Sequence, residues 1–262
     1  MQHYTREKRG IKVLNLIFFL IMIVLNGLAN TTLIGGVSTE VISDRYKNLF
    51  TPAGITFAIW GVIYLALGYF VIFQLGKSSY GSKKKEALEK IGPLFIISCI
   101  LNGSWLIAWG YDLIPLSLGI MFLLLITLYT IYFKVHSMKE YLYNDEKRAF
   151  LIPFSLYTAW ITVAIIANLA AYFKYIEWGG FGLSETFWII FSIIFATLVN
   201  LLFIYGKSDF FFGLVGVWAL SGIALGRYEE GNIFPVGYVA VAGAVVILIS
   251  ILLNVIRNRK SR

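Results

Sequence analysis

The sequence predicts an all-α integral membrane protein with eight spanning helices. Three observations predict it. Of the 262 residues, 59% are hydrophobic and 14% charged, with a mean hydropathy of +0.79; a soluble domain carries about 25% charged residues. The apolar residues form long runs, each near the ~20 residues a helix needs to cross a bilayer, rather than alternating strands. With the N-terminus placed in the cytoplasm, Arg45, Lys47, Lys174 and Arg227 fall outside and the other eighteen of the 22 Lys and Arg fall inside, as the positive-inside rule requires.

The first span, 13–34, follows Arg6, Lys8, Arg9 and Lys12. Its basic start, apolar run and Gly27-Leu28-Ala29 mimic a signal peptide, but the run is long for one and the charge balance needs no cleavage, so the helix is expected to be retained. Asn26 and Asn30 on it read as interhelical glue. Two readings of the loop 35–51 are open. It is either a lid folded over the bundle by Val41, Ile42, Tyr46, Leu49 and Phe50, or an ordinary connector. The second span, 52–75, opens at Pro52.

Lys77, Lys83, Lys84, Lys85 and Lys90 are expected in the next loop. The Lys83–Lys85 run suits anionic lipid, at about 1 kcal/mol per residue. The third span, 92–110, holds the only cysteine, Cys99, so no intrachain disulfide exists; buried there, it is expected to be an inert small hydrophobe. Asp112 reads as a turn residue before the fourth span, 114–133. The fifth span is 150–173.

A glycine-containing break at about 175–185 follows, dividing the chain into 13–175 and 184–257. The sixth and seventh spans, 186–205 and 209–226, are separated by Gly206-Lys207-Ser208, which leaves a re-entrant hairpin open beside two full crossings. Gly213-x-x-Gly216 and Gly222-x-x-x-Gly226 suit close packing, within the chain or between copies of it. The eighth span, 233–256, leads into a basic tail. An even count puts both termini in the cytoplasm of a multi-pass plasma-membrane protein.

Membrane depth makes the polar aromatic residues informative, because indole and amide groups need partners that lipid tails do not offer. Asn102, Trp105 and Trp109 fall at i, i+3 and i+7 on one face of the third span, and Trp60 and Tyr64 at i, i+4 on the second. Trp160, Ala164, Asn168 and Tyr172 recur every four residues on the fifth. Two readings stand here: an aromatic-walled pocket for a flat apolar ligand, or packing alone, with asparagine as interhelical glue at roughly 0.6–2 kcal/mol per contact. Trp109 and Trp178, near helix ends, are expected in the interfacial belt.

Several chemistries are disfavoured. His3 and His136 lie outside the spans, and no acidic or basic residue is placed securely within one, as proton relays and intramembrane metalloproteases need. No catalytic residue and no metal ligand set is expected. No phosphate-binding loop appears, and the basic residues are spread over loops and tails rather than gathered for nucleic acid. Leu169-Ala170-Ala171-Tyr172-Phe173-Lys174 fits the loose sterol-contact pattern, but an interfacial tyrosine with a snorkelling lysine explains it better.

These motifs resemble the TspO/MBR family of tryptophan-rich sensory proteins, related to the translocator or peripheral benzodiazepine receptor. Pro52, Trp60, Ile63-Tyr64 and Gly68 look like the family's proline, tryptophan, Leu-Tyr and glycine series. Leu101-Asn102-Gly103-Ser104-Trp105 is similar to its Leu-Asn-x-x-Trp. Tyr157, Trp160, Ala164 and Asn168 follow its fifth-helix spacing, with Tyr172 at the final tryptophan position. The likeness covers about 13–175, with the last three helices as an extension. It implies a five-helix bundle binding porphyrins, haem-related tetrapyrroles or sterol-like molecules, with a pocket beneath the loop after the first helix. Gly54, Ala58, Ile107 and Tyr172 depart from family tryptophans and prolines, which weighs against the family's light-dependent porphyrin breakdown.

The expected function is therefore a non-enzymatic membrane binding protein, a sensor or carrier of a flat hydrophobic ligand. Trp60, Tyr64, Trp105, Trp160 and Tyr172 are its expected walls, and Asn102 and Asn168 its orienting groups or interhelical locks. No cofactor is required; a porphyrin or haem would be a ligand. The expected partners are membrane lipid, the hydrophobic small molecule and a second copy of the chain, with no nucleic acid. The alternative is a small-solute or lipid transporter, a permease using all eight helices.

Overall fold

The computed structural model describes residues 2–29, 31, 33–77 and 82–260, with side chains except at 2–9, Glu40, Arg259 and Lys260. Asn30 and the side chains of His3, Arg6, Lys8, Arg9, Arg259, Lys260 and Arg262 therefore lie outside the described residues. The elements are α1 (Gln2–Ala29), α2 (Thr39–Arg45), a 3-10 turn (Gly54–Ala58) leading into α3 (Ile59–Leu75), α4 (Lys84–Gly110), α5 (Ile114–His136), α6 (Asn144–Tyr175), α7 (Glu185–Lys207), α8 (Phe210–Glu229) and α9 (Val236–Lys260). The described residues contain no strand. Every helix but α2 is long and apolar enough to cross a membrane, giving the eight expected spans.

Three helices, α1, α4 and α6, start earlier than hydropathy alone implies. The lysine-rich segment expected as loop is the first two turns of α4. Ala87, Leu88, Ile91 and Phe95 are all buried and recur at helical spacing, and Glu86 pairs with Lys83 at 3.1 Å and Lys90 at 2.9 Å. Lys84 is buried and turned away from the lipid surface. Its ammonium donates to the carbonyls of Phe73 (2.6 Å) and Gly76 (2.9 Å) and lies 4.3 Å from the Phe73 ring centroid, so it binds carbonyls at the C-terminal end of α3, that of Phe73 also accepting the Gly76 N–H at 3.2 Å. At the start of α6, Glu146 accepts the backbone N–H of Tyr143 at 3.0 Å. That is the reaching-back half of a capping box.

α7 and α8 are two separate helices of crossing length rather than a short hairpin. Ser208 ends α7 in the left-handed conformation (φ 50°), and the Asp209 carboxylate caps α8 by accepting from the N–H of Phe212 at 3.0 Å.

The chain forms two compact units, one of Met1–Ile42 and Trp60–Thr158, the other of Ser43–Ile59 and Ala159–Arg262. Their boundaries fall inside α2, α3 and α6. In the first unit α4 packs on both α1 and α5. The rings of Phe70, Phe95, Phe150 and Phe154 form a buried edge-to-face cluster, with centroids 5.0–5.5 Å from Phe70. Asn15 of α1 donates to Gln74 of α3 at 2.8 Å. Gly35 has a φ of 70°, and a Cβ there would stand 1.8 Å from the Gly110 carbonyl oxygen. Only glycine lets the chain turn so close to the end of α4.

In the second unit α8 packs against both α7 and α9. Its glycines serve contacts within the chain. Gly213 faces Ile204 and Ile251, Gly216 faces Asn200, and Gly222 and Gly226 face residues 51–56. The segment 46–58 is thus a strap laid along α8 within this unit.

Candidate functional site

Four helices of the first unit are tied by one chain of side-chain hydrogen bonds. Tyr64 (α3) donates its hydroxyl to the amide oxygen of Asn26 (α1). Asn26 donates to the amide oxygen of Asn102 (α4) at 2.9 Å and to its own helix at the Met22 carbonyl at 2.9 Å. Asn102 donates to the hydroxyl of Tyr157 (α6) at 2.9 Å. Asn26, Asn102 and Tyr157 are buried, where an unmade hydrogen bond would cost about 1–3 kcal/mol. Asn102 is an interhelical lock here, with its oxygen and its amide nitrogen both engaged. Asn26, expected as glue, is the hub.

Trp60 lies on this knot. Its ring stacks on Tyr64 (centroids 5.4 Å, 20°) and meets Tyr157 edge-on (6.0 Å, 70°). The i, i+4 spacing delivers the first contact. The second brings in Tyr157, which sequence spacing placed in a motif but not in the site. Its position three residues before Trp160, on the same helix, was the available signal.

Trp105 occupies a separate part of the first unit. It stacks on Trp109 (5.7 Å, 22°) and packs against a cluster of Ala29, Ile34 and Leu106. Its indole nitrogen is buried and has no hydrogen-bond partner among the described residues. Trp109, expected in the interfacial belt, lies one residue before the end of α4. It is 6% exposed, and its N–H donates to the Thr39 carbonyl at 3.0 Å, holding the start of α2 to the end of α4. Trp178 does sit in an aromatic group at a helix end, stacked on Phe173 (4.2 Å) beside Trp188 (5.2 Å).

The remaining candidates belong to the second unit. Trp160 is 3% exposed, and its ring meets Phe57 of the strap edge-on (6.4 Å, 88°). Asn168 is buried. Tyr172 is half-buried, its ring 6.2 Å from Phe173. Lys174, beyond it, pairs with Glu185 at 2.7 Å.

The strap carries residues that sequence reasoning missed. The N–H of Ala53 donates to the Gly222 carbonyl at 3.0 Å. The indole of Trp218 donates to the Thr56 carbonyl at 2.8 Å. Arg227, expected in an outer loop, is instead in the last turn of α8 and 2% exposed. Its guanidinium forks onto Glu230 (2.6 and 3.0 Å) and reaches the Thr51 carbonyl at 3.2 Å. Lys47 closes the group on Glu230 at 2.8 Å. That hydrogen bond, ahead of the opposing effect of burial, holds the Lys47 ammonium above its usual range. Burial works against the Glu230 charge, but Lys47 and Arg227 outweigh it and hold the carboxyl below its usual range. An Arg-Glu spacing of i, i+3 at a helix end was the only local hint.

The described residues contain no cluster of His, Cys, Asp and Glu that could hold a metal. No curated protein and no solved structure matches the chain. A family model described as TSPO-like protein matches residues 12–253, running past residue 175 through most of α9. Eight spanning helices, the aromatic and asparagine spacing, and a match over nearly the whole chain converge: this multi-pass membrane protein belongs to the TSPO-like protein family.

Proposed function

We propose that the protein binds a flat hydrophobic ligand within the membrane, a porphyrin, haem-related tetrapyrrole or sterol-like molecule, and acts as its sensor or carrier without catalysing a reaction. The observation that carries this reading is the Trp105 indole. It presents a ring stacked on Trp109 and a buried N–H that no described protein group accepts. A ligand with an aromatic face and a carbonyl, carboxylate or hydroxyl oxygen would meet both. The stacked Trp60–Tyr64 pair offers a second aromatic surface, and Trp160, Asn168 and Tyr172 are proposed as binding residues of the second unit. Asn102 contributes by locking helices rather than by touching the ligand. No cofactor is required for this activity.

The basic-residue asymmetry supports both termini in the cytoplasm, and the plasma membrane is the proposed location. Lipid is the surrounding partner, and self-association is an accompanying expectation.

The test is a titration of detergent-purified protein with protoporphyrin IX and haem, followed by tryptophan quenching and the Soret band. Saturable binding is expected. Trp105→Phe, which keeps a ring and removes the N–H, should weaken it about tenfold, the scale of one hydrogen bond; Trp105→Leu should weaken it further. Absence of saturable binding would overturn the reading. The permease reading would then be tested by solute and lipid flux in proteoliposomes.

A further inference from the structure

The strap and α8 meet within the second unit in a way that the search for a ligand wall does not require. Residues 51–56 run against α8 where glycine removes the side chains. A Cβ on Gly222 would stand 2.1 Å from the Thr56 hydroxyl oxygen, and one on Gly226 would stand 2.9 Å from the Ala53 nitrogen. Backbone meets backbone at Ala53 and Gly222. The Trp218 indole holds the Thr56 carbonyl, and the Arg227–Glu230–Lys47 group holds the strap's upstream end. The residue after Thr56 is Phe57, whose ring lies edge-on against Trp160. Fixing Thr56 at both its side chain and its carbonyl fixes where the next residue's Cβ points.

We propose that α8 is the positioning element for Phe57, with Gly222 and Trp218 as positioning residues that set the Phe57 ring against Trp160. Phe57 is thereby a further wall residue beside Trp160, placed there by α8 within the second unit. The proposal rests on the binding reading above only in taking Trp160 as a wall; the anchoring of Phe57 stands apart from any ligand.

The test uses the full-length protein labelled with 5-fluorotryptophan and observed by fluorine NMR, the Trp160 resonance being assigned with Trp160→Phe. Phe57→Leu removes the ring that faces Trp160 and is expected to shift this resonance. Gly222→Ala, which drives a methyl into Thr56, and Trp218→Phe, which removes the indole N–H together with the ring that carries it, should each shift it in the same direction. Gly213→Ala lies on the same helix but faces Ile204 and Ile251, so it should leave the Trp160 resonance in place. Trp218→Phe keeps an aromatic ring at the position and decides the matter if Gly222→Ala does not fold.

An unmoved Trp160 signal in Trp218→Phe, or an equal shift in Gly213→Ala, would overturn the proposal, as would an unmoved signal in Phe57→Leu. A second arm follows protoporphyrin IX release. Trp218→Phe should raise the dissociation rate about fivefold, the equivalent of one neutral hydrogen bond; an unchanged rate in a protein that binds would remove Phe57 from the wall. If protoporphyrin does not bind the parent protein, the functional reading fails while the fluorine spectra still decide the anchor.

Discussion

The two units hold their helices together by opposite means. The first uses side chains reaching across, with Asn26, Asn102, Tyr64 and Tyr157 joined in one hydrogen-bonded chain at membrane depth. The second removes side chains. Gly213, Gly216, Gly222 and Gly226 let neighbours approach α8 closely, and a charged cluster closes its C-terminal end, in Arg227, Glu230 and Lys47. Both are answers to lipid, where helices gain little from burying apolar surface and rely on close packing and polar contacts. The difference lies in what each tolerates. A knot of amides fails when a group is deleted; a glycine seam fails when one is added.

Adding bulk to the seam should have the largest effect. Gly222→Leu places three further carbons where a Cβ already collides with Thr56, and overpacking of this kind costs about 1–3 kcal/mol or more. Thermal unfolding in detergent should show it, with faster tryptic cleavage at Arg45 and Lys47 marking the loosened strap. A parent-like melting temperature would mean that the seam is not tight.

Deletion from the knot should come next. Asn102→Leu removes two hydrogen bonds, one to Asn26 and one to Tyr157, a loss of roughly 1–2 kcal/mol given that polar contacts between membrane helices average below 1 kcal/mol. The sharper form is a double-mutant cycle. Asn26→Leu and Asn102→Leu should be clearly non-additive, since the second substitution removes a contact that the first has already broken. Additive losses would separate the two asparagines.

The charged end of the seam gives a smaller, pH-dependent effect absent from the uncharged knot. Glu230 titrates below its ordinary range when folded, so its contribution is complete above that range and fades as pH falls through the lowered value. Lys47 titrates above its ordinary range, so its contribution is present below the usual lysine range and lost only as pH rises past the raised value. The parent should therefore be destabilised on acidification relative to Glu230→Gln, the two melting curves converging at acid pH. Curves that stay parallel would show that this carboxylate contributes nothing. Smallest of all is the exposed Lys174–Glu185 pair, where Lys174→Ala should change stability by about 0.5 kcal/mol or less.

Much of this was legible in the sequence, unevenly. The eight spans follow from hydropathy, since a bilayer imposes a length that local composition reveals. The Trp60–Tyr64 stack follows from i, i+4 spacing, and Asn26 as glue from the cost of a lone amide in lipid. The extended starts of α4 and α6 were hidden because their lysines and acids look like loop, while Ala87, Leu88 and Ile91 carry the helical pattern beneath. Lys84 illustrates the harder case: one of three adjacent lysines in the sequence, it alone is turned inward by carbonyls at Phe73 and Gly76. The strap was the least visible. Gly222 and Gly226 announce that something comes close, but not that it is Thr56 and Ala53, some 170 residues earlier. Periodicity reports on a helix's own faces and not on its visitor.

The knot of the first unit has one more consequence, for what crosses the membrane unbidden. Tyr64, Asn26, Asn102 and Tyr157 form a continuous line of hydrogen bonds, the kind of line along which protons hop when its links are water, carboxylate or imidazole. Here the inner links are amides, which give one hydrogen and accept another but do not exchange them at any ordinary acidity. The bundle is stitched with amides, so it gains the cohesion of a polar core from links that are not proton carriers.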